Sequence, residues 1–151
     1  MNEVKSNKQY HPQMHSAEHI LNQTMVRMFN CGRSFSNHIE KKKSKCDYHF
    51  TRDLTGAELE EIERRVNEVI QKDLKVAEEF ISKDDAEKEY NLTKLPDEVG
   101  ETIRIIKIGD YDTCPCSGLH ISHTKEIGSF KIISTGYNDG KLRIRFKLFD
   151  E

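Results

Sequence analysis

Apolar residues recur every three or four positions over two long stretches of this chain and every second position over shorter ones. That change of period separates helix from strand. Met14, Ala17, Leu21, Thr24 and Met28 share one face of a helix predicted from about Met14 to Phe29, which Cys31-Gly32 would stop. A second helix is bounded more sharply. Thr55 and Glu58 have the spacing of a capping box, Leu54 and Leu59 that of a hydrophobic staple. Leu59, Ile62, Val66, Val69 and Ile70 then form a stripe that runs to about Lys72. Glu60, Glu61, Glu63, Arg64, Arg65 and Glu68 fill its other side and read as a solvated face.

The segment from Phe35 to Phe50 is β-prone at both ends and broken by Lys41-Lys42-Lys43, which predicts a strand, a basic turn and a return strand. A short strand near Lys75–Ile81 and a short helix near Asp84–Tyr90 follow. The last third reads as sheet. Thr102–Ile108 ends at Gly109-Asp110 ahead of a cysteine-containing loop, and Phe130–Thr135 and Leu142–Leu148 flank a turn over 136–140. In the last strand Leu142, Ile144, Phe146 and Leu148 alternate with Arg143, Arg145 and Lys147, giving one core face and one basic face. The basic face suits solvent or a phosphate-bearing partner. Together these elements predict a single α+β domain, two layers with a mixed or antiparallel sheet packed against helices, and a flexible N-terminal lead over residues 1–12.

Composition narrows the classes. At 151 residues the chain is large enough for a core without covalent staples. It is 35% hydrophobic and 33% charged, with a formal net charge of −2, which excludes a generally basic nucleic-acid binder and confines any RNA contact to local patches. The start carries no apolar signal region and no stretch reaches the roughly 18 apolar residues of a membrane helix, so a cytoplasmic protein is expected. Cys31, Cys46, Cys114 and Cys116 are accordingly expected to stay reduced, with Cys31 and Cys46 as core thiols.

Chemistry concentrates at the two ends. His15 and His19, four apart on the first helix, would project from one face about a turn apart. Cys116 and His120 repeat the spacing in the loop near the other end. Three imidazoles and a thiolate suit zinc better than magnesium or calcium. Cys114 competes with Cys116 as a ligand, although Pro115 stiffens the pair. On an ideal helix Glu18 points away from the two histidines, as a surface carboxylate or one that supports the site from behind, rather than as a base.

The His15-x3-His19 helix, Asp47-Tyr-His-Phe50 followed by the capped helix, and Cys116-Ser-Gly-Leu-His120-Ile-Ser-His-Thr-Lys-Glu-Ile-Gly-Ser-Phe-Lys-Ile together resemble the editing domain of alanyl-tRNA synthetases. Threonyl-tRNA synthetases share that domain, where it is called the second additional domain. The likeness runs from about Met14 to Leu148. With no aminoacylation segment in its 151 residues, the chain resembles the short free-standing relatives called AlaX. The resemblance implies the editing-domain fold and hydrolysis of mischarged tRNA, seryl-tRNA(Ala) and also glycyl-tRNA(Ala), at a zinc site of His15, His19, Cys116 and His120. It implies the acceptor end of tRNA as partner.

Two departures bear on specificity. The alanyl type usually reads Cys-Gly-Gly-Thr-His, so Leu119 stands where a polar residue is usual. Ser34-Phe-Ser-Asn-His38 lies where relatives have a pocket-lining loop, which makes Ser36 and His38, with Leu119, candidate substrate contacts. Two rival readings compete. A zinc-stabilised module could bind tRNA acceptor ends without hydrolysis. His15-x-x-Glu18-His19 also matches the inverzincin metalloprotease pattern, which would use Glu18 as base and leave Cys116 and His120 without a purpose.

Overall fold

The computed structural model describes residues 11–90 and 102–149 of the chain; the lead expected over residues 1–12 falls outside them apart from its last two. The elements run α1 (Pro12–Phe29), β1 (Ser36–His38), β2 (Ser44–His49), α2 (Gly56–Gln71), β3 (Val76–Ser82), α3 (Lys83–Glu89), β4 (Thr102–Ile108), β5 (Asp112–Pro115), a 3-10 turn (Thr124–Ile127), β6 (Ser129–Asn138) and β7 (Lys141–Phe149). The fold is α+β, as the periodicity predicts. Its strands form two antiparallel sheets, one of four strands in the order β1-β2-β7-β6 and one of three in the order β3-β4-β5.

Alternation along the strands decides what each sheet face touches. From β2, β6 and β7, Cys46, Tyr48, Phe130, Ile132, Leu142, Ile144 and Phe146 are buried in the main core with the apolar residues of α1 and α2. Ile62, Val66, Val69 and Ile70 are the buried side of α2, as its stripe predicts. Its capping box is present, with Thr55 Oγ1 accepting from Glu58 N at 3.2 Å and Glu58 Oε1 accepting from Thr55 N at 2.9 Å. The three-stranded sheet has apolar groups on both faces. Ile103 and Ile105 pack against Ala86 of α3, while Ile108 joins the main core.

Helix α1 is buried on all sides through most of its length, although it carries His15, Ser16, Glu18, His19, Asn22 and Thr24 among its buried residues. Pro12 occupies its first turn, where a missing N–H costs nothing, and Asn30 ends it in the left-handed conformation at φ 55°, one residue before the predicted stop. The stripe prediction captures Met14, Ala17, Leu21 and Thr24. It omits Ile20 and Met25, which are also fully buried, because a helix enclosed all round has no single inner face.

Two local expectations change. β6 continues to Asn138, so the turn lies at Asp139-Gly140 rather than over 136–140. Both turn residues have positive φ, 49° and 84°, which matches the twist of a two-residue hairpin. The predicted cysteine loop begins as a strand: β5 pairs with β4, setting Ile106 opposite Cys114 and Ile108 opposite Asp112. Among the described residues, no helix is long and apolar enough to cross a membrane.

Candidate metal centre

His15 and His19 lie one turn apart on α1, and their Nε2 atoms are 3.3 Å from each other. Cys116 follows directly on β5, and its Sγ is 3.1 Å from His15 Nε2. The His120 ring stacks on His15 at 4.1 Å between centroids and meets His19 edge-on at 4.6 Å. One ligand atom from each of the four lies within 4.8 Å of every other. Zinc bonds of about 2.0–2.1 Å to nitrogen and 2.3 Å to sulfur would set the donors of a tetrahedron roughly 3.3–3.6 Å apart. The His15–His19 and His15–Cys116 distances are close to that spacing, and with His120 inside the same 4.8 Å cluster the four donors could hold a zinc ion.

The remaining ring nitrogens are held by the protein. Leu119 O lies 3.1 Å from His15 Nδ1, so an N–H there donates to the carbonyl and leaves Nε2 as the nitrogen that could face a metal. Ser16 Oγ lies 2.9 Å from His120 Nδ1 and accepts from Ile121 N at 3.3 Å, tying the loop back to α1. Arg104 fastens the same loop, its Nη1 donating to Cys116 O at 3.2 Å and to Gly118 O at 2.7 Å. Gly118 N donates to Cys116 Sγ at 3.4 Å, which favours the thiolate. Gly118 also lies against the His15 ring, where no side chain has room.

Beyond His19 there is a second group. Residues two apart on a strand share a face, so Asp112, Cys114 and Cys116 all turn towards α1. Cys114 Sγ is 3.0 Å from His19 Nδ1, and Asp112 Oδ2 is 3.5 Å from the same nitrogen. Asp112 takes two further bonds from Arg33, at 2.8 and 3.2 Å, and one from Gln23 at 2.9 Å. Burial pushes the Asp112 carboxyl up, but the hydrogen bond with His19 and the Arg33 charge outweigh it and hold its pKa well below the usual carboxylate range. Burial likewise opposes charge on His19, yet the Cys114 sulfur and Asp112 outweigh it and hold its pKa well above the ordinary imidazole value. Asp112 is absent from the sequence-based ligand set because the segment reads as a loop; the Asp-x-Cys-x-Cys alternation is the signal that would have found it.

The structure also places Glu18, Ser36, His38 and Leu119. Glu18 is buried, not at the surface: its Oε1 is 3.8 Å from His15 Nε2 and its Oε2 accepts from Asn22 Nδ2 at 3.5 Å. Because α1 is enclosed, even its off-ligand face meets protein. Ser36 and His38 are exposed on β1 and are not brought to the centre; His38 pairs with Glu40 instead. Strand alternation sends Asn37 inward in their place. It bonds with buried Ser34, whose N–H donates to Asn22 Oδ1 at 3.1 Å, while the Tyr48 hydroxyl donates to the same oxygen at 2.7 Å. Leu119 is beside the centre, but its side chain is 53% exposed and its carbonyl is what reaches His15.

The segment that carries Cys116 and His120 decides the relationship: residues 103–145 match the model of the threonyl and alanyl tRNA synthetase second additional domain. The chain is similar to that domain. Over 121 residues, 80% of this chain, it is 33% identical to the alanine–tRNA ligase of Coxiella burnetii and 34% identical to that of Fervidobacterium nodosum. Over 129 residues, 81% of the chain, it is 34% identical to the alanine–tRNA ligase of Neisseria meningitidis serogroup B. The matched region is 14% of the length of each ligase. β5, the loop that carries Cys116 and His120, and most of β4 and of the β6–β7 hairpin fall within the matched span, while His15 and His19 of α1 lie outside it.

Proposed function

We propose that this chain hydrolyses the ester between a misattached amino acid and tRNA, with seryl-tRNA(Ala), and glycyl-tRNA(Ala) beside it, as substrates, at a zinc ion held by His15, His19, Cys116 and His120. The observation that carries the reading is the convergence of these four donors from α1 and a loop matched by the synthetase domain. The likeness covers 14% of each ligase, so the proposal is confined to the chemistry this region can hold and leaves amino-acid activation aside. It acts on tRNA in the cytoplasm, at the acceptor end.

Bound zinc supplies a Lewis acid that lowers the pKa of water to about 7 or polarises a carbonyl. The protein's own part is positioning. An aminoacyl ester is already activated, so holding it in one geometry in a dry site accounts for much of the acceleration. Leu119 O and Ser16 fix two imidazoles, and Arg104 fixes the backbone of the loop. Glu18 is the buried carboxylate beside the donors and orders polar groups there through Asn22. Serine is favoured over alanine where a site hydrogen-bonds the substrate hydroxyl and alanine leaves that group unpaired.

A second reading has one specific support. Four protein donors complete a tetrahedron, the closed type usual in structural zinc sites, so zinc could hold together a tRNA-binding module without hydrolysis. Incubating the zinc-loaded protein with radiolabelled seryl- and alanyl-tRNA(Ala) separates the two. Faster release of serine than alanine supports the hydrolase, equal rates refute the specificity, and tRNA binding without release of either supports the module.

A further inference from the structure

We propose that Cys114 and Asp112, backed by Arg33, are positioning residues that fix the His19 ring for metal binding. The inference rests on the zinc reading above. His19 presents two edges: Nε2 faces His15 across 3.3 Å, and Nδ1 faces Cys114 Sγ across 3.0 Å with Asp112 Oδ2 just beyond at 3.5 Å. An N–H on Nδ1 directed at that sulfur leaves the Nε2 lone pair for the metal. The orienting partner of a metal-bound imidazole is what sets its tautomer and its basicity. His15 and His120 use a carbonyl and a hydroxyl for this purpose; His19 uses a thiol with an ion pair behind it.

The arrangement is built rather than incidental. Cys114 and Asp112 are buried, and β5 pairing with β4 fixes both on the face that meets α1. Asp112 cannot swing away, because Arg33 grips both its oxygens and Gln23, one turn along α1 from His19, holds Oδ1. Arg33 thus neutralises a carboxylate that would otherwise compete for the metal.

The same three side chains, His19, Asp112 and Cys114, could themselves be ligands, since their donor atoms also cluster within 4.8 Å. The test therefore counts thiolates as well as affinity. Zinc affinity is measured by chelator competition for the wild type, Cys114→Ala, Cys114→Ser, Asp112→Asn and Cys116→Ala, with circular dichroism as the check on folding. Cobalt(II) replaces zinc in each, and its thiolate charge-transfer band reports the sulfur ligands. Loss of an orienting partner should weaken zinc binding by about 10- to 100-fold. Cys114→Ala is expected to show that loss with the single-thiolate band intact, and Cys114→Ser, which keeps an acceptor, to recover part of it. A purely packing role would make the buried hydroxyl worse than the methyl. Wild-type affinity in Cys114→Ala, or Cys114→Ser below Cys114→Ala, overturns the proposal. Loss of the band in Cys114→Ala makes Cys114 a ligand and overturns it too. A folded wild type that binds neither metal would instead bring down the zinc reading itself.

Discussion

Adding one methyl group at Gly118 should cripple the centre without touching a ligand. A Cβ there would stand 2.5 Å from His15 Nδ1 and closer still to Cε1. Ordinary contact begins near 3.4 Å and Cε1 would stand at 2.3 Å, so ring and loop must part by about 1.1 Å, several times the roughly 0.2 Å that metal–ligand distances tolerate. Neither side yields easily. The ring is wholly buried, stacked on His120 and bonded to Leu119 O, and the glycine's own carbonyl is gripped by Arg104 at 2.7 Å. Overpacking of this kind costs about 1–3 kcal/mol. In the metal-free Gly118→Ala protein the ring can relieve that strain by leaving its place, and zinc must then restore it, so the dissociation constant should rise by about 5- to 150-fold. Chelator competition measures the constant, and thermal unfolding with and without zinc shows whether the loss sits in the bound state. The glycine is not at positive φ, so backbone strain would not confuse the result. A Gly118→Ala protein that binds zinc within twofold of the wild type would refute the close packing on which this reasoning stands.

Cys116→Ala should lose both zinc and hydrolysis, whereas Glu18→Gln should keep zinc and lose less than about 100-fold in rate; a larger loss at full zinc occupancy would make Glu18 the base and favour the protease-like chemistry. On the outer face of the four-stranded sheet, Arg143 is paired with Asp47 at 2.8 and 3.0 Å, whereas Arg145 lies 3.5 Å from the Ser134 hydroxyl and Lys147 lies 4.8 Å over the Phe149 ring. Replacing Arg145 and Lys147 with glutamate should weaken tRNA binding and flatten its salt dependence by about one unit of slope per lost contact, as filter binding across a salt series would show. The hydrogen bond from Arg143 holds the Asp47 carboxyl below its ordinary pKa, against the opposing effect of burial. A carboxyl lowered on folding stabilises above its unfolded pKa, about 4, and loses that contribution as pH falls through the folded value. Asp47→Asn should therefore lower the unfolding midpoint at pH 7 and converge with the wild type in acid, and a gap that persists unchanged at pH 2 would contradict the pairing.

Sequence pattern reached furthest where local chemistry acts alone. The capping box and stripe of α2 are local, and both are present in the structure. His15 and His19 were legible because four-residue spacing is a property of one helix. Their neighbours were not, because what surrounds α1 depends on the return of chain from far along the sequence. Glu18 looks like a surface residue on an isolated helix, yet it is buried beside Asn22, whose Oδ1 accepts from Ser34 and from Tyr48 of β2. β5 is four residues long, too short for alternation to be distinguished from a loop, so Asp112 and its bond to Arg33 went unread. Which of residues 36–38 face inward was illegible for a related reason: a shift of one residue along a strand exchanges inside for outside, and Asn37 holds the inward place while Ser36 and His38 are exposed.

His15 and Cys116 are 101 positions apart, and a single ion held between them would act as a clasp on nearly the whole chain. Closing a loop of about 100 residues is worth on the order of 4–5 kcal/mol in the chain-entropy account developed for disulfides. The clasp would be released by a chelator rather than a reductant. Its grip would show most in α1, whose buried polar residues have little hydrophobic gain to hold them in place. Amide protons of α1 should then exchange with solvent far more slowly when the ion is present than when it is stripped. Those of α2, anchored by its own cap and stripe, should change less.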